Sequence, residues 1–158
     1  MKLLSASEQK LVFHLGKREK TLLCGILALY PRVPPAHKRP LSRSGKVPDA
    51  EGNQKLLDEA LTEQRAANKK HLEALLANPK KLSETPSGWH LTLKPGEFEW
   101  LLQILNDVRV GSWLSLGSPE NIHLNLLSEK TAPDFWAMEM SGHFQMRMLA
   151  ALEDRAST

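Results

Sequence analysis

With one cysteine in 158 residues, the chain cannot form an intramolecular disulfide. Packing must hold it together, and Cys24 is expected as a small core hydrophobe in a reducing compartment. No apolar run is long. The best, Leu22 to Tyr30, falls far short of the ~20 residues that a helix needs to cross a bilayer. The opening Met1-Lys2-Leu3-Leu4 has the look of a secretory leader, but Glu8, Gln9 and Lys10 arrive before any useful apolar stretch. Export is therefore not expected, and the expected location is cytoplasmic.

Motifs that carry chemistry are equally scarce. The six histidines, His14, His37, His71, His90, His123 and His143, form no H-E-x-x-H pair, and there is no Cys/His cluster with zinc spacing. Glu139 and His143 stand four apart, but two ligands are too few for a metal. There is no Gly-rich phosphate loop, no G-x-S-x-G elbow and no dinucleotide fingerprint. Cys24 reads as core, without a neighbour that would activate its thiol. Neither a catalytic role nor a cofactor nor a metal finds support.

What is present is an ordinary globular balance: 41% hydrophobic and 25% charged residues, enough for one domain spanning 1–158. The net charge of +3 is unevenly placed. Arg32, Lys38, Arg39, Arg43 and Lys46 lie in residues 31–48 with no acid, leaving 16 basic against 18 acidic residues elsewhere, a net of −2. Five of the ten prolines share that segment. It reads as a basic Pro-rich loop, and the five cations are the candidate nucleic-acid contacts, with only Tyr30 at the margin to stack on a base.

Apolar periodicity predicts helices elsewhere. Ser5-Ala6-Ser7-Glu8 has capping-box spacing, and Leu11, Val12, Leu15, Leu22, Leu23, Ile26, Leu29 and Tyr30 fall on one face of a helix stopped by Pro31. A second helix is predicted from about Gly52 to Asn78 and a third from Pro95 to about Leu116. A short one is predicted from Pro119 to about Ser128, and a last one from Thr131 to about Glu153. Gly88 to Leu93 alternates weakly and suits a short extended segment. The expected fold is an all-α bundle of four main helices plus one short helix, with at most a minor two-strand element near Trp89 to Leu93.

Polar residues at apolar angles single out candidate sites. Arg109 falls among Phe98, Leu102, Leu105 and Leu116, and Glu19 among Val12, Leu15, Leu22, Leu23 and Ile26. They are the expected buried pair, because an unpartnered interior charge costs several kcal/mol. Gln64, Asn68 and His71 share one sector of the second helix, and Asn106 borders the third. The six form either a register-fixing network or a recessed site for an anionic small molecule. On the last helix Trp136, Met140, Phe144 and Met148 make a second apolar face, the candidate interface with a protein partner or with a second copy as a homodimer.

The run from Gly88-Trp89-His90-Leu91-Thr92-Leu93 through Trp100-Leu101-Leu102-Gln103-Ile104-Leu105-Asn106-Asp107-Val108-Arg109 resembles an uncharacterised bacterial family, the domain of unknown function numbered two thousand and seventeen. Members share a short apolar segment, then a helix with tryptophan followed by Asn-Asp-Leu-Arg or a near variant, which Asn106, Asp107 and Arg109 match. The resemblance implies no chemistry. Some members are encoded beside the adaptor of the Clp protease, which implies a link to regulated proteolysis. Relatives carry longer, more acidic insertions where this chain has its basic loop. The function expected is noncatalytic, regulatory or adaptor-like protein binding, with nucleic-acid association through residues 31–48 and anion binding at Arg109 as alternatives.

Overall fold

In the computed structural model, residues 1–34, 50–121 and 127–156 are described. Their order is β1 (Lys2–Ala6), β2 (Leu11–Leu15), α1 (Lys17–Leu27), α2 (Ala50–Ala77), β3 (Leu82–Thr85), β4 (Gly88–Leu93), α3 (Pro95–Ser115) and α4 (Ala132–Ala156). The strands form one antiparallel sheet in the order β1-β2-β4-β3. The fold is α+β, and the all-α expectation is overturned.

The long first helix of the sequence reading is replaced by a hairpin and a short helix. Leu11, Phe13 and Leu15 are buried while Val12 and His14 are half-buried, the alternation of a strand with one face on the core. Leu11 and Leu15 also satisfy helical spacing, and the helical reading followed that period. Pairing decides the matter: Leu11 lies opposite Leu93, Phe13 opposite Leu91 and Leu15 opposite Trp89. The supposed capping box at Ser5 to Glu8 is instead the end of β1 and the start of the turn after it, with Ser7 Oγ accepting the N–H groups of Gln9 at 3.3 Å and Lys10 at 3.2 Å. A serine hydroxyl serves a turn as readily as a helix start. Gly88 to Leu93 is extended as expected, yet it is an inner strand of four rather than part of a scrap.

Gly88 makes the hairpin join possible. Its φ is +152°, and a β-carbon there would meet the Leu15 carbonyl oxygen at 2.2 Å, so a side chain cannot be accommodated. The β1–β2 register slips between Leu3 and Ser5, a bulge that bends this edge strand.

The predicted later helices occur close to their expected bounds. Half of the predicted short helix from Pro119 to Ser128 falls on residues outside those described, and its described flanks are not helical. Helices pack against the core side of the sheet, as an antiparallel sheet with one apolar face requires. Phe13, Leu15, Leu91 and Leu93 meet Leu23, Ile26 and Leu27 of α1 and Phe98, Leu101 and Leu105 of α3. From α4, Ala137, Phe144 and Met148 complete the same core. Phe13 stacks on Phe98, with ring centroids 5.9 Å apart. Where α3 crosses α4, the buried Ser112 and Ser141 hydroxyls donate to the carbonyls of Val108 and Ala137, each at 2.7 Å. Their polarity is satisfied within their own helices.

Glu97 caps the start of α3. Its Oε2 accepts the Lys94 N–H at 2.7 Å and the Lys81 ammonium at 2.5 Å. Burial alone would raise its pKa, but the hydrogen bonds and charges of Lys81 and Lys94 outweigh burial and hold it below the ordinary value. A carboxyl with a lowered folded pKa contributes stability above its unfolded pKa, and that contribution is lost as pH falls through the folded value. Glu97→Gln should therefore cost about 1 kcal/mol at neutral pH. In thermal unfolding followed across pH, the gap to the parent protein should close as both are taken below the ordinary carboxylate range. A gap that persists unchanged into acid would contradict this account.

Candidate functional site

Two clefts flank α3, one toward α2 and one toward α4. The residues singled out from the sequence divide between them.

Facing α2, a small cleft of about 180 Å³ is lined by Tyr30, Gln64, Arg65, Asn68, Trp100, Gln103 and Asp107 among others. Asn68 donates to the Tyr30 hydroxyl at 3.1 Å and accepts the Trp100 indole N–H at 3.3 Å. His71 meets the Trp100 ring edge to face, with centroids 4.6 Å apart. Of the expected polar ladder, Gln64 and Asn68 line this cleft while His71 reaches it only through the Trp100 ring, and Gln64 and His71 are themselves exposed.

The centre of this network was not foreseen. Asp107 Oδ1 accepts the backbone N–H groups of Arg32 at 2.6 Å and Val33 at 3.2 Å, and its Oδ2 lies 3.4 Å from the Arg65 guanidinium. Arg65 is buried and donates to the Val33 carbonyl. Carboxylate and guanidinium together clamp the chain just beyond Tyr30. Gly111 lets that chain lie close to α3, since a β-carbon there would stand 2.5 Å from the Arg32 carbonyl carbon. A signal for Arg65 existed, because it precedes Leu72 by seven residues and so lies within about 20° of it on a helical wheel. Of the Asn106-Asp107-Val108-Arg109 motif, Asp107 is therefore a scaffold residue.

Glu19 and Arg109 do not form the expected pair. Glu19 accepts the Gly16 N–H at 2.8 Å and the Met1 amino group. Burial would raise its pKa, but those hydrogen bonds, with the charges of Met1 and Arg147, hold it below the usual carboxylate range. Arg109 is exposed on another face of α3. Two residues on from Asp107, it is turned about 200° away from the α2 cleft. Asn106 is exposed as well. The recessed anion site of Arg109, Asn106, His71 and Asn68 is thus not assembled.

Facing α4, a cleft of about 940 Å³ runs between the helices, lined by Arg109, Val110, Trp113, Met138, Glu139, Gly142, His143, Gln145, Met146 and Leu149. The described residues include eight exposed large hydrophobics, and three of them, Trp113, Met146 and Leu149, share this one cleft. Their relative exposures are 36%, 68% and 46%. The partner face read from the sequence is corrected accordingly. Phe144 and Met148 are buried in the core and Met140 is packed half-buried against it, which leaves only Trp136 exposed. The helical phase was right, but the face assigned to a partner is the one that meets the protein's own core.

Of the basic segment, Arg32 is described, and its guanidinium is engaged by Asp134 in an ion pair. Lys38, Arg39, Arg43 and Lys46 lie outside the described residues. Among the described residues, no group of three or more His, Cys, Asp or Glu side chains could hold a metal ion, and no helix is long and apolar enough to cross a membrane. Cys24 is half-buried, and burial pushes its thiol pKa up against a smaller opposing pull from Lys20. Lys20 stands four residues before Cys24, one helical turn earlier, a spacing that is visible in the sequence.

Removing the clamp should be costly. Asp107→Ala leaves two backbone N–H groups without their acceptor and a buried guanidinium without its counter-charge, and should destabilise by about 2–4 kcal/mol. Asp107→Asn keeps one acceptor oxygen and should cost roughly half as much. Chemical denaturation measures both, and losses under about 0.5 kcal/mol would show the clamp to be dispensable. At neutral pH, Cys24 should react with a disulfide reagent well below the rate of free cysteine; an equal rate would show it to be accessible and ionised.

Compared with family models, with curated proteins and with solved structures, the chain finds no match.

Proposed function

We propose that this chain is a noncatalytic, regulatory or adaptor-like domain that binds another polypeptide along the α3/α4 cleft. The observation that carries the reading is the gathering of Trp113, Met146 and Leu149, all solvent-exposed, in one groove of about 940 Å³. Scattered surface hydrophobics need no explanation, but a contiguous group rimmed by charge marks interaction sites. Tryptophan supplies a rigid anchor of the kind that dominates interface energies, and methionine adapts its shape to what it meets. A groove between two helices suits an apolar helix face. The cytoplasm is the proposed setting, since one half-buried thiol needs no oxidising compartment. Control of Clp-type proteolysis is the role suggested by the family resemblance.

Photocrosslinking in cells tests the reading, with a photoreactive residue placed at Met146 or Leu149 and, as a control, at Leu56, which is 64% exposed on α2. Discrete protein adducts should form from the groove positions and not from the control, and Trp113→Ala should diminish them. Adducts equally abundant from Leu56, or none from either groove position, would remove the reading.

A further inference from the structure

We infer that the occupant of the α3/α4 cleft is a second copy of this chain, docked about a two-fold axis so that Arg109 of each copy meets Glu139 of the other. This inference rests on the cleft being a docking surface.

The charges of the cleft point to this occupant. Its α3 wall carries Arg109 and its α4 wall carries Glu139. Both are exposed, and neither has an ion pair or side-chain hydrogen bond among the described residues. A partner of single charge sign would place a like charge against one of them, and like charges in contact work against binding. A second copy avoids that conflict. In a two-fold interface residue i meets j while j meets i, so one cation and one anion on the same groove neutralise each other twice.

The geometry of the hairpin agrees. Gln145 donates to the Leu102 carbonyl at 3.2 Å, while Met138 and Trp113 line the same cleft further along, so α3 and α4 run antiparallel. Two such hairpins laid groove to groove make a four-helix seam filled by Trp113, Met146 and Leu149. Gly142 brings the charge to the rim. A β-carbon there would stand 3.5 Å from Arg109 Cδ, so the aliphatic stem of Arg109 lies across α4 with its head group unpaired. A stem held in this way loses less freedom when its charge is engaged.

Sedimentation velocity over a wide concentration range reads the result. The parent chain should form a dimer, and Met146→Glu, at a position too exposed to disturb folding, should dissociate it. Arg109→Glu and Glu139→Arg should each weaken self-association about tenfold or more, with circular dichroism unchanged and with Tm unchanged at dilutions where parent and variants alike are monomeric. An equimolar mixture of these two variants should recover the dimer, because each mixed contact then joins opposite charges. Recovery on mixing is the outcome that a pairing within one chain cannot produce. A parent chain that stays monomeric throughout overturns the inference, and so does a dimer indifferent to both reversals or a mixture that stays apart. Groove crosslinks to a different protein, from a monomeric parent chain, would sink the second copy and leave the protein-binding reading standing. An absence of groove crosslinks would sink both.

Discussion

The pairing of β2 with β4 joins residues 11–15 to residues 89–93 across most of the first two-thirds of the chain. It places Leu11, Phe13 and Leu15 beside Leu93, Leu91 and Trp89, and so creates an apolar face that neither strand could present alone. Every helix with residues in the core contributes to the same cluster around that face. α1 follows β2 directly, and α3 follows β4 directly, so the helices enter from points that the sheet has already set. Closing so long a loop is entropically expensive, and the apolar area then buried offsets that cost.

On this foundation α3 works on two sides. Toward α2, Asp107 and Arg65 tie down the chain leaving α1 through backbone groups that would otherwise lack partners. A half-buried carboxylate and a buried guanidinium that also satisfy backbone donors and acceptors fix position more than they add net stability. Toward α4, small and hydroxylated residues let the two helices pack, while Trp113, Met146 and Leu149 spill over the edge of that contact into the cleft. One helix therefore separates a structural polar network from an apolar surface, with Asp107 serving the first and Arg109 the second. Their adjacency in one short motif conceals that division.

The long amphipathic helices were legible because their period repeats over many residues and their ends are marked by Pro, Gly and acidic first turns. α2, α3 and α4 fall close to their expected bounds. The N-terminal strands were not legible, since five residues such as Leu11 to Leu15 satisfy both periods and only the partner strand breaks the tie. For the candidate sites, membership in the α2 ladder could be read from angular sectors, whereas the identity of the partner could not. Glu19 faces the Met1 amino group and Gly16 rather than Arg109, because its helix begins at a different residue and lies in a different phase than a continuous helix would have.

By itself the sequence determined the extents of α2, α3 and α4, the lack of an apolar run long enough for a bilayer helix, and the presence of an apolar surplus on α4. Those follow from local spacing and composition, which act over a few turns. The tertiary structure alone decided that the N-terminal segment is a hairpin, that Asp107 and Arg65 are the clamp, and which flank of α4 faces outward. Each of these depends on a contact between residues far apart in sequence, and a helical or strand period specifies that a face is apolar without specifying what covers it.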